Sequence, residues 1–390
     1  MMAGVMHETV IIGGGIAGLA CARRLYDSRR PFLLITEDVG GRIRKSADGT
    51  VNLGAYYVRS DYSHVNRFVD RGRRIKRRHI LCGDQDGSFT RWDLPLLLHL
   101  PQAVRFLRLM REFRRHYEVF KRDCLLMSQA QAIRADPLLW ELYHEPAPRF
   151  IYRHRIEDVA RSYLVPGAQG TAFTSVDRLT AFTLLVGALP TIIPMFEYTF
   201  RFDLLMTGFE DALLFDSVTG ITPTADHYSI QTRSGGSFSA DNVVVATPID
   251  VSARLLDLGP VKSPIYAHMF VVRGNLRRPW AQAIFSLFPE GDRIFSIARQ
   301  TGGSILFYSV SEDPDFARCF STWEVVEHHH WNPAFHLEGD ALLECEQGPG
   351  LYLVGDHNVC DLEDAYITGV YAANSILSAL GSAMATSPPP

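Results

Sequence analysis

Three glycines and an acid carry the first chemistry legible in this chain. Gly13, Gly15 and Gly18 stand in the spacing G-x-G-x-x-G directly after the β-branched run Thr9-Val-Ile-Ile12, and Glu37 closes the next apolar run, Phe32-Leu-Leu-Ile-Thr36. In this spacing the first glycine allows a tight strand-to-helix turn, the second lets the backbone approach a pyrophosphate, and the third lets helix and strand pack closely. The helix that opens there, with Ile16 and Ala17 in its first turn, offers unpaired N–H groups and a partial positive charge to a phosphate. Glu37 lies near the offset of about twenty residues at which an acid accepts a ribose hydroxyl. The order strand, turn, helix, strand, acid points to an adenine dinucleotide.

Other reactive residue types give weaker patterns. His328-His329-His330 suggests a metal at first sight, but successive side chains point different ways, so three consecutive histidines do not converge on one ion and no metal is expected. The six cysteines, Cys21, Cys82, Cys124, Cys319, Cys345 and Cys360, show neither C-x-x-C nor metal-ligand spacing, as in a reduced, intracellular chain. No signal-peptide pattern precedes the first strand, and a cytoplasmic location is the expectation.

The elements that must position these groups follow from composition and periodicity. At 390 residues, 47% hydrophobic and 21% charged, the chain is ordinary globular material, too long for one simple core and suited to two interleaved domains. Its net charge of -4 is unevenly spread: residues 1–165 hold 28 of the 39 Lys+Arg against 18 Asp+Glu, about +10 there and about -14 in the remainder. That asymmetry suits an anionic membrane surface or an acidic substrate, and no nucleic-acid partner is expected. The run Arg71-Gly-Arg-Arg-Ile-Lys-Arg-Arg78 reads as solvated basic surface, or as a patch for anionic lipid or a phosphate-bearing substrate.

From Pro101 to Arg122, apolar residues at Val104, Leu107, Met110, Phe113, Tyr117 and Phe120 recur at helical period with arginines between them. Such a basic amphipathic helix either lies on a membrane or covers its own core. Residues 136–164 read as short helices punctuated by prolines. The apolar stretch Leu179 to Phe200 is interrupted by Pro190 and Pro194, short of the roughly 20 residues a spanning helix needs. It predicts a buried helix followed by a loop lining an apolar cavity. Tyr228–Arg233 and Val243–Thr247 read as strands around a Gly235-Gly236 turn, and further strands are expected at 266–272, 283–288, 294–298 and 305–310.

Four more motifs extend the opening signature. Gly40-Gly41-Arg42 follows Glu37, and Asn52-Leu-Gly54-Ala55-Tyr56 comes shortly after; near the far end stand Gly350-Leu-Tyr-Leu-Val-Gly355-Asp356 and Glu363-Asp-Ala365-Tyr-Ile-Thr-Gly369. In this order the chain resembles the flavin-dependent amine oxidase, protoporphyrinogen oxidase and phytoene desaturase superfamily. The resemblance implies an α/β fold: an FAD-binding Rossmann-type domain, a doubly wound parallel sheet, with an inserted mixed α+β substrate domain. It assigns residues 1–75, 205–260 and 340–380 to the FAD domain and 76–204 and 261–339 to the substrate domain, leaving 381–390, small residues ending in prolines, as a disordered tail. It implies non-covalent FAD on Gly13, Gly15, Ile16, Ala17, Gly18, Glu37, Gly40, Gly41, Arg42, Gly54, Ala55, Tyr56, the Val218 backbone, Gly355, Asp356, and the helix start at Leu362, Glu363 and Ala365.

Two departures bear on the reaction. Relatives place a lysine in the substrate-domain strand that here reads Ile265-Tyr-Ala-His-Met-Phe-Val-Val272, where none occurs; His268 and Tyr266 are the nearest catalytic candidates. The aromatic residue that relatives carry before the E-G-A element is Asp361. Both point away from simple amine oxidation and towards a dehydrogenase or desaturase acting on a hydrophobic small molecule. The alternatives are an amine or amino-acid oxidase with a rearranged site, and a flavoprotein whose FAD is structural and which serves as a partner subunit.

Overall fold

The computed structural model describes residues 5–46, 49–91 and 97–386. Strand β1 (Val5–Gly14) runs into α1 (Ile16–Asp27) and the chain returns as β2 (Leu33–Val39). Val10, Ile11 and Ile12 are at most 2% exposed, because this strand is covered on both faces and needs apolar side chains on each. Short strands β3 (Val58–Arg59), β4 (Val69–Ile75), β5 (Ile80–Gly83) and β6 (Phe89–Arg91) follow, then the long helix α2 (Leu100–Asp123). The arginines of β4 are exposed, as their sequence implied.

On α2 the buried stripe is Phe106, Met110, Phe113, Tyr117 and Phe120, while Val104 faces outward. The apolar face that could have met a membrane is therefore spent inside the fold. It packs against α3 (Gln129–Ala135), α4 (Pro137–His144), α5 (Ala147–Arg153) and α6 (Ala181–Ala188), a helical layer in which Phe182 sits edge-on to Phe113. Local chemistry sets their starts: Ser128 and Gln131 form a capping box, and Asp136 accepts from Leu138 N at 2.9 Å.

The loop expected after the buried helix is instead strand β7 (Met195–Phe200), held between β3 and β4. Its aromatic residues and inward Met195, Tyr198 and Phe200 fit a pleated surface, and the two prolines precede it instead of interrupting it. The chain continues through β8 (Leu213–Phe215), β9 (Val218–Pro223), β10 (Tyr228–Thr232), β11 (Ser237–Val245) and α7 (Ile249–Leu256). Next come β12 (Ser263–Leu276), β13 (Phe285–Leu287), β14 (Ile294–Arg299), β15 (Ile305–Ser309) and β16 (Phe320–Glu338). It ends with β17 (Glu346–Gly348), β18 (Leu351–Leu353) and α8 (Leu362–Thr386).

The architecture is α/β. One sheet runs β17-β18-β11-β1-β2-β8, with β10 and β9 attached through β11; its β18, β11, β1, β2 and β8 are mutually parallel. Helices α1 and α8 pack closely together beside it, since a side chain at Gly369 would overlap the Ala17 carbonyl. The second sheet runs β16-β12-β15-β14-β13-β5-β6 and is mixed, with only β13 and β5 parallel. Its inner face and the helical layer enclose the largest core, which Val51, Leu53, Val359 and Ile367 reach from the Rossmann side. Helix α8 carries on into residues 381–386 of the stretch expected to be a disordered tail: Gly-Ser-Ala-Met-Ala-Thr offers no helix breaker before Pro388. Residues 387–390 lie outside the described residues.

Candidate functional site

Backbone glycines shape the first part of the site. Gly13 adopts φ +110°, and a side chain there would meet Ala246 O at 2.6 Å; one at Gly18 would overlap Gly13 O. These two residues let strand and helix touch. Gly15 differs, because a side chain on it would meet no protein atom within 4 Å. It is the N-cap of α1 in extended conformation, and no side chain caps the helix. Bare N–H groups, the helix dipole and a glycine with room in front fit the diphosphate of a dinucleotide.

The loop after β2 closes over the same space. Gly40 N donates to Gly14 O at 2.9 Å, and Gly41, at φ +56°, would bring a side chain to 3.4 Å from Gly15 Cα. The Asn52–Tyr56 segment crosses immediately behind it: Ala55 N donates to Arg42 O at 3.1 Å, so close that a side chain at Gly54 would overlap that carbonyl. Arg42 then spans the chain, donating from Nη1 and Nη2 to the two oxygens of Asp356, each at 2.6 Å. Burial alone would raise the Asp356 carboxyl, but Arg42 outweighs it and brings its pKa down to about 2. The segment after β2 and the segment before α8 thus meet at one charged pair.

At the far end of β2, Glu37 is exposed and paired with Arg233 at 3.2 Å. Asp216 N donates to Thr36 O at 3.0 Å, which brings the start of β9, Val218, alongside Glu37. Gly355, at φ +141°, is tied to Thr368 Oγ1 by its N–H.

The start of α8 is occupied by its own side chains. Asp361 caps it, accepting from Glu363 N at 3.1 Å, and the Glu363 carboxylate turns away to accept from Ser63 Oγ, His64 N and Val65 N at 3.0, 2.8 and 2.9 Å. Ala365 is buried in the α1–α8 core and Leu362 packs at its edge. Glu363 is a brace between loops, so its backbone N–H is already taken. Tyr56, grouped with the cofactor residues by resemblance, turns its ring to the second sheet, 5.0 Å from Phe285 and 6.2 Å from Tyr308.

The two catalytic candidates fall outside the site. Along β12 the side chains alternate, with Ala267 and Met269 facing the main core and Tyr266 and His268 facing away. His268 lies in a ladder with His330, rings stacked at 4.4 Å, and with His328, Nδ1 to Nε2 3.0 Å. The β-period hides this ladder from the linear sequence: alternation puts His328 and His330 on one face of β16, and the pairing with β12 slots His268 beside them.

A lysine is present after all. Lys262, one residue before β12, is 4% exposed and donates to Asn358 O at 2.9 Å over the ring of Tyr143. Burial depresses its pKa to about 8, with Cys360, Asp356 and Asp340 opposing the shift. It lies outside the segment 265–272, and its only sequence signal is a cation in the approach to a strand. Next to it Cys360 Sγ donates to Asp356 Oδ2 at 3.4 Å; burial and that carboxylate push its thiol pKa well up, so it stays protonated.

A second buried cluster lies beyond Cys360. Arg59, 3% exposed, donates to Asp361 at 2.5 Å and Asp61 at 3.0 Å; Tyr62 and Lys121 complete it. Asp364 accepts from Tyr117 at 2.5 Å, and its pKa is raised, first by burial and then by Asp361.

Comparison with known proteins meets this geometry. A family model described as an NAD(P)-binding Rossmann-like domain matches residues 11–71. Putrescine oxidase bound to putrescine superposes with a TM-score of 0.68 at 12% identity, over 96% of this chain and 99% of that one. The chain has the fold of putrescine oxidase. A triple mutant of putrescine oxidase gives a TM-score of 0.70 at 13% identity, and a protein assigned as a protoporphyrinogen oxidase from Exiguobacterium sp. gives 0.62 at 13%, each over 96% of this chain and 99% of its own. No curated protein matches the chain in sequence. At the two positions singled out in the sequence, Asp361 is bound by Arg59 and Lys262 stands just outside the strand.

Proposed function

We propose that the chain is an FAD-dependent oxidoreductase of dehydrogenase or desaturase type, acting on a hydrophobic small molecule. The observation that carries this reading is the convergence of Gly15, Gly41 and the Arg42–Asp356 pair, from opposite ends of the chain, on one open cradle. Bound there without a covalent link, FAD would supply a two-electron acceptor for hydride from a substrate C–H bond. The protein supplies the surroundings. Arg42 and the α1 N-terminus would hold the diphosphate, and Asp356, ionised and fixed, would hold the neighbouring sugar or ribityl region. Tyr56, Tyr57 and Phe173 form a half-buried aromatic wall on Phe285 and Tyr308 that excludes water and suits an apolar ligand. Asp361, pinned by Arg59, cannot stack on a neutral amine.

Lys262 favours a second reading, an amine or amino-acid oxidase with a rearranged site. With a pKa of about 8 it can hold or release a proton near neutrality beside Asp356 and Cys360.

The decisive experiment is anaerobic bleaching of the flavin absorbance by a panel of polycyclic, isoprenoid and amine compounds, with peroxide measured in air. Bleaching by an apolar compound without rapid peroxide release supports the first reading. Amine-dependent peroxide supports the second, and bleaching by none of them supports a structural flavin.

A further inference from the structure

Leu97 and Leu98, just before α2, are 74% and 77% exposed; Leu100 in its first turn is 58% and Val104, one turn on, 40% exposed. Scattered exposed leucines need no explanation, but four large apolar side chains within eight residues at one helix end form a patch. They are not the buried face of α2 displaced, because Phe106, Met110, Phe113, Tyr117 and Phe120 fill the core on the opposite side.

The outward face of the helix continues as Arg108, Arg111, Arg115 and Arg122, all exposed. None of the four forms an ion pair among the described residues. Of the acids nearby, Glu118 is held by Arg114 at 2.6 Å and Asp158 accepts from Gln102 at 2.7 Å, leaving Glu112 and Asp123 exposed against the four arginines. The face is thus apolar at its tip and cationic along its length.

We propose that this end of α2 docks the protein peripherally on an anionic lipid bilayer, with Leu97, Leu98 and Leu100 entering the boundary between headgroups and acyl chains and the arginine row meeting lipid phosphates. A headgroup interface offers hydrocarbon next to phosphate, matching that sequence of side chains. A second copy of this chain seated on the same face would instead set arginine row against arginine row. Among the described residues no helix is long and apolar enough to cross a membrane, so the attachment is at the surface. The proposal stands apart from the flavin reading.

The test is co-sedimentation of the full chain with phosphatidylcholine vesicles, with and without phosphatidylglycerol. At low ionic strength at least tenfold more protein should pellet with the anionic vesicles, and high salt should release it. The triple variant Leu97→Ser/Leu98→Ser/Leu100→Ser should lose most binding, and Arg108→Glu/Arg111→Glu/Arg115→Glu should lose the anionic preference, both with wild-type thermal melts. Leu98→Trp gives a folding-independent readout, since its emission should shift to the blue on adding anionic vesicles. Wild-type protein that stays in the supernatant, an unshifted Trp emission, or a dimer in sedimentation equilibrium that the leucine variant dissociates would each overturn the proposal.

Discussion

Arg42 with Asp356 and Arg59 with Asp361 bridge the same two parts of the chain, the segment after β2 and the loop before α8. The first pair is bidentate, but 39% of the Arg42 side chain is exposed, and the neighbouring Gly41 lies against Gly15. The second is sealed: Arg59 is 3% exposed and two carboxylates and the Tyr62 hydroxyl share its neighbourhood. An arginine with one partner and an open side can also engage a ligand phosphate. One enclosed by carboxylates has its charge committed to holding loops in place, because removing it would strand anions in a medium that solvates them poorly.

That contrast can be broken by mutation. Arg59→Met should cost about 3–5 kcal/mol of stability, measured by chemical denaturation, while the folded fraction keeps its flavin. Arg42→Met should do the reverse: the FAD dissociation constant should rise at least tenfold, about 1.4 kcal/mol, with a smaller loss of stability. Equal effects of the two variants on flavin retention would erase the distinction.

Titration gives a finer test. The folded Asp356 has a pKa of about 2 against 3.8 in the unfolded chain, so its contribution is complete above about pH 4 and lost as pH falls towards 2. Arg42→Met should remove that acid limb. Lys262 acts in the same direction at higher pH: the unfolded chain holds its proton up to 10.5 and the folded chain releases it near 8, so stability should climb between those values. Lys262→Met should flatten the climb. The smallest effects belong to the periphery. Arg233→Ala should change stability by less than about 1 kcal/mol, since its pair with Glu37 is solvent-exposed on both sides. His268→Ala should leave the rate of flavin reduction unchanged; a large loss would return that histidine to the site.

The Rossmann half was legible because its constraints are local. A tight turn, a helix start and a close strand–helix approach each demand glycine at a fixed offset, and Gly13, Gly15 and Gly18 satisfy them within six residues. The four strands expected between residues 266 and 310 were legible for the same reason, through runs of apolar and β-branched residues. The other half was not. Strand β7 was read as a loop because two prolines mask its start, and its pairing with β3 and β4 depends on residues more than a hundred positions away. A linear sequence does not say which face of a strand meets the core, and only the pairing of β12 with β16 sets His268 beside His328 and His330.

The sequence by itself determined the glycine turn and helix start at the base of the proposed cradle, since the turn, the helix dipole and the glycine clearances arise within a few dozen residues of chain. Only the tertiary structure decided which charges face that cradle and which are sealed away. Arg42 and Arg59 are equivalent as residue types, and so are Lys262 and any surface lysine. Their roles come from burial and from partners roughly 300 residues off for the two arginines and 96 for Lys262, and electrostatic character follows from those surroundings.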